Sequence, residues 1–436
     1  MSGGDSWDCS MYPPEINDSA LKPAERLAAL RGFVERGGLA SMPGFTGEIN
    51  NHIHTIYSFS PYTPAMAALK SREAGLEVAG SVDHDSWSAA AEMREACALI
   101  GLGCVTGFEM RVSLRHTEFW DRKFNSPDSK GIAYITVQGV PAGSEAKVGE
   151  ILKPIGAARR QRNIRMTDNI NSILTAAGLS GLDYERDIVP LSMYHEGGSV
   201  TERHLLFALS LKLTGEAGRG EKLLTFIREK FGLDVTGKNR SYLLDPDNPC
   251  YTYDLLGILK SSFNDRIFVQ PGAEECPPVE TVTAFVRSIN AIPFYPYLGD
   301  ITESVTGDKK PEKFEDDYLD SLMSRLKDFG FQGLTYMPPR NTMTQLIRLR
   351  RLCEPQGLIE ISGVDINSPR QVFQCPEIRK PEFRSLADTT WALVAHERLA
   401  SADPSRGLFN PKDPLAGKPL AERIAAFSMI GRRKQP

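Results

Sequence analysis

The first part of the chain alternates between short apolar segments and longer segments with helical spacing. Three segments have the length and apolar content of strands, and the two between them repeat apolar residues with the period of a helix. Gly75 and Gly101 stand directly after the helical segments, where helices commonly end. This order with short connections predicts a parallel sheet, either open or closed into a barrel. The five segments are, in order, 48–56, 64–74, 77–82, 88–100 and 103–108.

The same alternation returns late in the chain, after a long helical region. Helical patterns dominate between residues 141 and 264, and helices and strands alternate again from about residue 265. One β/α domain interrupted by a helical insertion explains this order most simply. The predicted helices of the insertion are 145–177, 201–213 and 220–231; the later helices are 279–290, 313–329 and 342–354, and the later strands are 291–295, 333–336 and 358–364.

The chain therefore divides into five predicted segments. An N-terminal helical extension precedes the first part of the barrel, the helical insertion follows, and the second part of the barrel leads into a C-terminal helical tail. The extension contains one predicted helix over 20–35, and the tail contains two. In the same order, the boundaries are 1–45, 46–140, 141–264, 265–380 and 381–436.

Composition narrows the classes of function. The chain has 436 residues, with 51 Lys and Arg against 55 Asp and Glu and a net charge of −4, which argues against binding nucleic acid beyond nucleotides or short oligonucleotides. No segment approaches the roughly 18 apolar residues of a membrane helix, and the N-terminus lacks a secretory pattern. The seven cysteines, Cys9 among them, form no C-x-x-C pair. We expect a cytoplasmic protein with free thiols and no membrane contact, and the oligomeric state stays open.

Candidate chemistry begins with His52 and His54. Alternate residues of a strand point to the same face about 6.5–7 Å apart, so both imidazoles can reach one metal ion. His84, Glu109 and Asp365 each stand at the C-terminal end of a predicted strand, the edge at which parallel β/α folds build their sites. Imidazoles and carboxylates are ligands of zinc, manganese and iron. The sequence therefore predicts a site for a divalent metal at this edge.

Several short motifs accompany these residues along the chain. The early motifs are His52-Ile53-His54-Thr55 with Ser58 and Pro64, Ala74-Gly75-Leu76, Val82-Asp83-His84-Asp85 and Gly107-Phe108-Glu109; the later motifs are Thr201-Glu202-Arg203-His204-Leu205, Phe294-Tyr295-Pro296 and Gly363-Val364-Asp365-Ile366-Asn367. Over roughly residues 47–368 the chain resembles the PHP superfamily, named for polymerase and histidinol phosphatase. The early motifs are specific, and the later ones are looser.

This resemblance implies a distorted seven-stranded (β/α)7 barrel, a metal cluster at the C-terminal edge of the strands, and phosphoester hydrolysis as the usual activity. It implies His52, His54, Glu109 and Asp365 as ligands of a first ion, with Glu109 bridging if two ions bind, and His84 as a ligand from the set of another ion. An ion with an open position lowers the pKa of bound water toward about 7 and polarises a phosphoryl oxygen.

The sequence departs from the pattern of this family at several ligand positions. Phe59 stands where an acidic residue or a histidine is common, and Asn367 replaces the final histidine. Tyr295 stands at the histidine of an Ala-His-Pro motif, with Asp300 as the nearest acidic replacement. We therefore expect one or two ions, and not the three of the complete pattern.

Two further questions stay open in the sequence. A family histidine that follows the glutamate corresponds either to His116 or to Gln138. His195 is either a site residue contributed by the insertion or a structural loop residue.

His84 and Asp83 are the candidate catalytic residues. An imidazole that has lost the other ligands of its ion is well placed to act as a general acid or base with a pKa near the operating pH. Asp83 either orients His84 through its second ring nitrogen or caps the helix that begins near Ser86.

Basic and polar groups could bind the phosphate of a substrate. Arginine suits this task because its fork matches the geometry of phosphate, although arginines near helix ends often form only solvated ion pairs. The basic run 159–165 is interpreted as a solvated helix face. The candidate substrate-binding residues are Arg203, His204, Arg340, Asn367 and Arg370.

The sequence favours a metal-dependent hydrolase that cleaves phosphoester bonds in a phosphorylated small metabolite or nucleotide. One alternative keeps the metal but cleaves a different bond, as amidohydrolase-type barrels do. The other is a metal- or ligand-binding protein in which Phe59, Tyr295 and Asn367 mark lost catalysis.

Overall fold

Seven strands form one sheet whose order in space follows the chain. The computed structural model describes residues 11–301 and 313–433, and the sheet lies in this part. Backbone hydrogen bonds from Ile366 to His52 and from His54 to Ile366 join the first strand to the segment after the last, so the sheet nearly closes. The predicted distorted seven-stranded β/α barrel is confirmed. The strands are β1 (Ile49–Ile53), β2 (Val78–His84), β3 (Gly103–Ser113), β4 (Ile132–Gln138), β5 (Ile292–Pro296), β6 (Gly333–Tyr336) and β7 (Ile359–Ser362).

One strand runs against the others, and the sequence pattern did not predict it. β4 pairs antiparallel with β3 and β5, whereas the other neighbours pair in parallel. β3 continues past Glu109 to Ser113 before the chain turns back into β4, so Glu109 lies inside a strand and not at its end as expected. The register places Glu109 directly between His84 of β2 and Thr136 of β4. Two neighbouring strands thus fix its backbone.

Helices surround the barrel and build the region between β4 and β5. That region holds α4 to α8, of which α7 and α8 were not predicted. The described helices are α1 (Pro23–Glu35), α2 (Pro64–Glu73), α3 (Ala90–Ile100), α4 (Glu145–Ala176), α5 (Glu202–Ala217), α6 (Glu221–Phe231), α7 (Gly237–Leu244), α8 (Tyr251–Ile267), α9 (Val279–Ser288), α10 (Leu319–Leu326), α11 (Met343–Gln356), α12 (Arg384–Ala402) and α13 (Leu420–Gly431).

The barrel and the helical region have separate apolar clusters that share one helix. Val148, Leu152 and Ile155 in the first half of α4 belong to the cluster of the barrel. Residues of the second half, such as Ile170, belong to the cluster of the helical region, together with Phe59 from the loop after β1. Because burial of apolar surface is the main stabilising contribution to a fold, α4 anchors the helical region on the barrel.

Buried ion pairs also connect the barrel to the helical region. Arg111 of β3 lies 2.8 Å from carboxylate oxygens of both Glu202 and Glu275, and Arg162 of α4 lies 2.6 Å from carboxylate oxygens of the same two residues. Arg159 is buried as well. The interpretation of the basic run as a solvated helix face is therefore wrong for Arg159 and Arg162, because both side chains are buried in ion pairs. Their carboxylate partners lie far away in the sequence, so the pattern of the helix alone could not reveal them.

The C-terminal helices cover the end of the barrel where the parallel strands begin. Glu397 of α12 accepts hydrogen bonds from the backbone and the hydroxyl of Thr106, near the start of β3. The cysteines within the described ranges are free, and Cys9 lies outside them. None of the described helices combines the length and the hydropathy that crossing a bilayer requires.

Candidate metal centre

Two imidazoles and one carboxylate meet inside the barrel. His52 Nε2 lies 3.8 Å from Glu109 Oε1, and His54 Nε2 lies 3.9 Å from Glu109 Oε2. One potential ligand atom from each residue lies within 4.8 Å of the others, and all three side chains are buried. Alternation along β1 gives both histidines the same face, as the sequence predicted. The separations suit one ion bound at about 2.0–2.2 Å by each ligand after small adjustments.

Asp365 and His84 extend this group on two sides. Asp365 follows β7, and its Oδ1 lies 3.3 Å from His54 Nε2. His84 ends β2, and its Nδ1 lies 3.0 Å from Glu109 Oε2. The rings of His84 and His54 are 4.6 Å apart. The structure therefore brings together all five residues that the sequence singled out as candidate metal ligands.

Several polar atoms at the centre have no hydrogen-bond partner in the described part of the chain. They include His54 Nε2 and His84 Nδ1, which are buried and face carboxylate oxygens. Asn367 donates to Asp365 Oδ1 at 2.6 Å, while its own Oδ1 stays unpartnered. Unpaired buried polar atoms are costly, so their concentration here indicates a site built for a bound group. A divalent cation fits imidazole nitrogens and carboxylates.

Burial and neighbouring charges shift the pKa values of the residues at the centre. Burial raises the pKa of Glu109, and nearby histidines only partly offset this effect. Burial alone would raise the pKa of Asp365, but the neighbouring imidazoles of His54, 3.3 Å away, and of His52 lower it far below its usual range. Burial, with the charge of His54, lowers the pKa of His84 well below its ordinary value. The expectation that His84 titrates near the operating pH is wrong, because desolvation of the ring and the charge of His54 both lower its pKa and favour the neutral form.

Asp83 does not orient His84. Its carboxylate accepts hydrogen bonds from the backbone and the hydroxyl of Thr55, at 2.7 and 2.6 Å, and from Ser58 Oγ at 2.7 Å. Ser58 Oγ also lies 3.3 Å from His54 Nδ1. Asp83 therefore fixes the loop after β1 and positions His54 through Ser58. Asp83 is therefore neither the partner of His84 nor a helix cap, and both predicted roles are wrong.

Arg203 remains a candidate for binding substrate, whereas His204 does not. The Cζ atom of Arg203 lies 6.0 Å from the centre of the Phe59 ring. The positive charge of Arg203 helps to lower the pKa of Asp365. His204 Nδ1 accepts the backbone N–H of Thr201 at 2.9 Å, and this bond caps α5. Burial lowers the pKa of His204 to about 3, so the ring stays neutral. The predicted substrate-binding role of His204 is therefore wrong.

The other predicted anion-binding arginines are held by structural partners. Arg370 forms an ion pair with Asp254 at 2.7 Å and lies 3.7 Å above the ring of Tyr242, so it ties the loop after Asp365 to the helical region. Arg340 Nε donates to the carbonyl of Leu298 at 3.2 Å. The substrate-binding role predicted for Arg370 is replaced by this contact, and Arg340 supports the loop after β5.

The remaining predicted residues lie away from the centre or inside the core. His116 is exposed and lies 2.8 Å from Glu280, and His195 is exposed in a single-turn 3-10 helix, Tyr194–Glu196. Asp300 Oδ1 accepts the backbone N–H of Phe314 at 2.6 Å. None of the three belongs to the group formed by His52, His54 and Glu109.

Gln138 and Tyr295 have structural roles. Gln138 pairs with Ile292 at the start of β5, because β4 runs antiparallel and ends at the opposite edge of the barrel. Tyr295 is buried in the barrel cluster and donates its hydroxyl to Glu315. Neither the His116 nor the Gln138 alternative therefore supplies a ligand.

The structure adds two residues that sequence reasoning missed. The ring of Tyr134 lies 5.3 Å from that of His84, because β4 brings it beside β2 and β3. The second is Lys260 of α8: burial and the charge of Arg203 lower its pKa, while the carboxylates of Asp128, Glu202 and Asp365 act in the opposite direction. Neither β4 nor α8 was predicted, so the sequence carried no signal for them.

Comparisons with known proteins agree with the fold. No model of a protein family matches the sequence, and no curated protein matches it. A protein from Bifidobacterium adolescentis assigned as a metal-dependent phosphoesterase has a similar structure, with a TM-score of 0.50 and 16% identity over 77% of this chain and 93% of that chain. An amidohydrolase from Chromobacterium violaceum was solved with bound sulfate and no metal. Its comparison gives a TM-score of 0.47 and 17% identity over 78% of this chain and 95% of that chain. At these identities the likeness concerns the fold alone.

Proposed function

We propose that this protein is a metal-dependent hydrolase that cleaves phosphoester bonds in a small phosphorylated metabolite or nucleotide. The observation that carries the proposal is the arrangement around Glu109, where unpartnered nitrogens of His54 and His84 face carboxylate oxygens inside the barrel. His52, His54, Glu109 and Asp365 would hold a first ion, and His84 with Glu109 would hold a second. Zinc, manganese and iron suit these ligands.

Residues of the chain would bind the substrate and transfer a proton. A divalent ion supplies a Lewis acid and an activated water. Arg203, whose charge helps to lower the pKa of Asp365, would hold the phosphate of the substrate, for which its fork is suited. With only the first ion bound, the neutral imidazole of His84 would be free to accept a proton, and Glu109, 3.0 Å away, would stabilise the resulting cation.

Phe59 occupies a position where the family pattern has a metal ligand, and its packing agrees with a centre of one or two ions. Its ring packs against those of His204, Phe207 and Tyr253, with centroids 5.0 to 5.8 Å away. The position of an expected ligand is thus part of the apolar cluster of the helical region.

The proposal includes a cytoplasmic location and a small phosphorylated substrate, with no membrane partner and no nucleic acid beyond nucleotides or short oligonucleotides. The free cysteines of the described ranges suit a reducing compartment. Two alternatives stand against the proposal: hydrolysis of a bond other than a phosphoester, and ligand binding without catalysis.

Metal analysis and turnover test the proposal together. The protein, stripped with a chelator and reloaded with manganese or zinc, is assayed on an aryl phosphate and on an aryl amide of the same leaving group. We expect one or two ions per chain and turnover of the phosphate. Turnover of the amide alone would establish the first alternative, and bound metal without turnover of either compound would establish the second. Absence of bound metal would overturn the proposed centre.

A further inference from the structure

A cavity of about 440 Å³ lies beside the metal centre, on the other side of the end of β2. The loop after β2, one face of α4 and the loop before α5 form its walls, and none of the proposed metal ligands lines it. Asp85 follows His84 directly, with a φ of 48°, and its side chain lines the cavity. We propose that this cavity binds a second small molecule, an aromatic compound with a neutral N–H donor group such as a carboxamide.

Two buried oxygen atoms of the cavity residues call for hydrogen-bond donors. Asp85 Oδ1 and Asn163 Oδ1 have no hydrogen-bond partner in the described ranges, and both residues are more than nine-tenths buried. The hydroxyl of Tyr184, which also lines the cavity, is likewise buried without a partner in these ranges. The amide nitrogen of Asn163 donates to the carbonyl of Val200 at 2.8 Å, which identifies the other atom of this amide as an acceptor. Leaving such acceptors unpaired is costly, so a ligand that brings N–H groups gains by pairing them.

The charges around Asp85 indicate that the donor group is neutral. Arg159 lies 2.8 Å from Asp85 Oδ2 and 3.3 Å from Glu275 Oε1, so it bridges the two carboxylates. Glu275 also pairs with Arg111 and Arg162, which in turn pair with Glu202. Three arginines thus face three carboxylates in one buried network. Adding a cation or an anion would upset this balance, whereas a neutral donor would not.

The rest of the cavity suits an aromatic body. Trp87, Val148 and Leu152 supply apolar surface. Gly149 and Gly156, two turns apart on one face of α4, also line it, although glycine inside a helix is destabilising by about 1 kcal/mol relative to alanine. A Cβ at Gly156 would meet no atom within 4 Å, so the absent side chain leaves open space. A helix that keeps two glycines against buried unpaired acceptors is consistent with a site that a ligand fills.

Isothermal titration with three probes of the same shape tests this inference on the purified full chain. Benzamide is neutral, benzamidine is cationic and benzoate is anionic. We expect benzamide to bind at millimolar concentrations, and the two charged probes to bind about tenfold more weakly or not at all, as loss of about 1.4 kcal/mol implies. Stronger binding of either charged probe, or no binding of benzamide, would overturn the proposal.

A cavity-filling variant locates the site. Gly156→Leu should abolish benzamide binding while metal content, turnover and thermal stability persist, because leucine favours the helix and finds open space. Gly257→Leu is the matched control, since Gly257 is exposed inside α8 and its Cβ also meets no atom within 4 Å. Equal binding to the wild type and Gly156→Leu would overturn the site, as would competition between benzamide and the phosphate substrate. Titration needs no turnover, so this result is independent of the proposed function.

Discussion

His84 and Glu109 stand directly opposite each other on β2 and β3, and His84 Nδ1 lies 3.0 Å from Glu109 Oε2. The parallel register holds the two backbones side by side, so both side chains start from neighbouring positions on the sheet. His54 Nε2 faces the same oxygen at 3.9 Å. Glu109 is therefore the point at which the two histidine positions meet, and changes at each position should have separable effects.

Removing the imidazole of His84 should impair catalysis more than metal binding. We expect His84→Ala to lower turnover by about 10², the size typical of a lost acid or base group. At least one ion should remain, because His52, His54, Glu109 and Asp365 are unchanged. Metal analysis and steady-state kinetics of the same preparation measure both effects. Unchanged turnover would contradict the role of His84, and complete loss of metal would make it an essential ligand.

Removing a ligand of the first ion should have the opposite pattern. His52→Ala and Asp365→Ala should each lose bound metal and thermal stability, because binding to the native site stabilises the fold by linkage. His116→Ala is the control, since this histidine is exposed and pairs with Glu280. Metal content and melting temperature with and without chelator provide the measurement. Wild-type metal content in both ligand variants would refute this assignment, and three ions in the wild type would refute the expected number of one or two.

Arg203 should act on the substrate and not on the metal. Arg203→Ala should raise KM for an aryl phosphate about tenfold or more, as expected when a charged hydrogen bond of about 1.5–3 kcal/mol is lost, with metal content unchanged. Arg203→Lys should recover part of this loss, because lysine keeps the charge but not the fork. Kinetic constants equal to those of the wild type would leave the cation–π contact with Phe59 as the role of this side chain.

The barrel was predictable because its strands and helices carry distinct periodicities. Residues that act within one strand or at a strand end, such as His52, His54 and Asp365, could be assigned in this way. β4 was missed because it follows a long irregular loop and runs antiparallel, and the β/α rhythm gives no signal for such a strand. Glu109 was chosen correctly, although it lies inside β3.

Three of the wrong assignments share one physical cause. His204, Arg370 and Asp83 are engaged by partners that only the folded chain reveals, and a sequence cannot distinguish a side chain that serves a cap or an ion pair from one that awaits a ligand. Lys260 was missed for the converse reason. The amino-acid sequence does not show that the charges of Arg203 and Asp365 act on a lysine of α8.

The buried His204 should make stability depend on pH. Burial lowers its pKa to about 3, whereas the ring in the unfolded chain protonates near its ordinary value of 6.5. Below pH 6.5 the unfolded state therefore binds a proton that the folded state does not, and stability falls as the pH falls. Between pH 7.5 and pH 5 this single group should remove about 2 kcal/mol from the free energy of unfolding.

His204→Gln isolates this contribution. Glutamine at the third position of a helix forms the same reciprocal cap with the threonine before it, so the variant keeps the N-terminal cap of α5 and loses the titrating ring. Urea unfolding at both pH values should show that the variant retains about 2 kcal/mol more of its stability at pH 5 than the wild type does. Its metal content and KM should match those of the wild type, because His204 serves the helix. An equal loss of stability in both proteins would show that the ring titrates normally in the folded state, and a raised KM would return His204 to the substrate site.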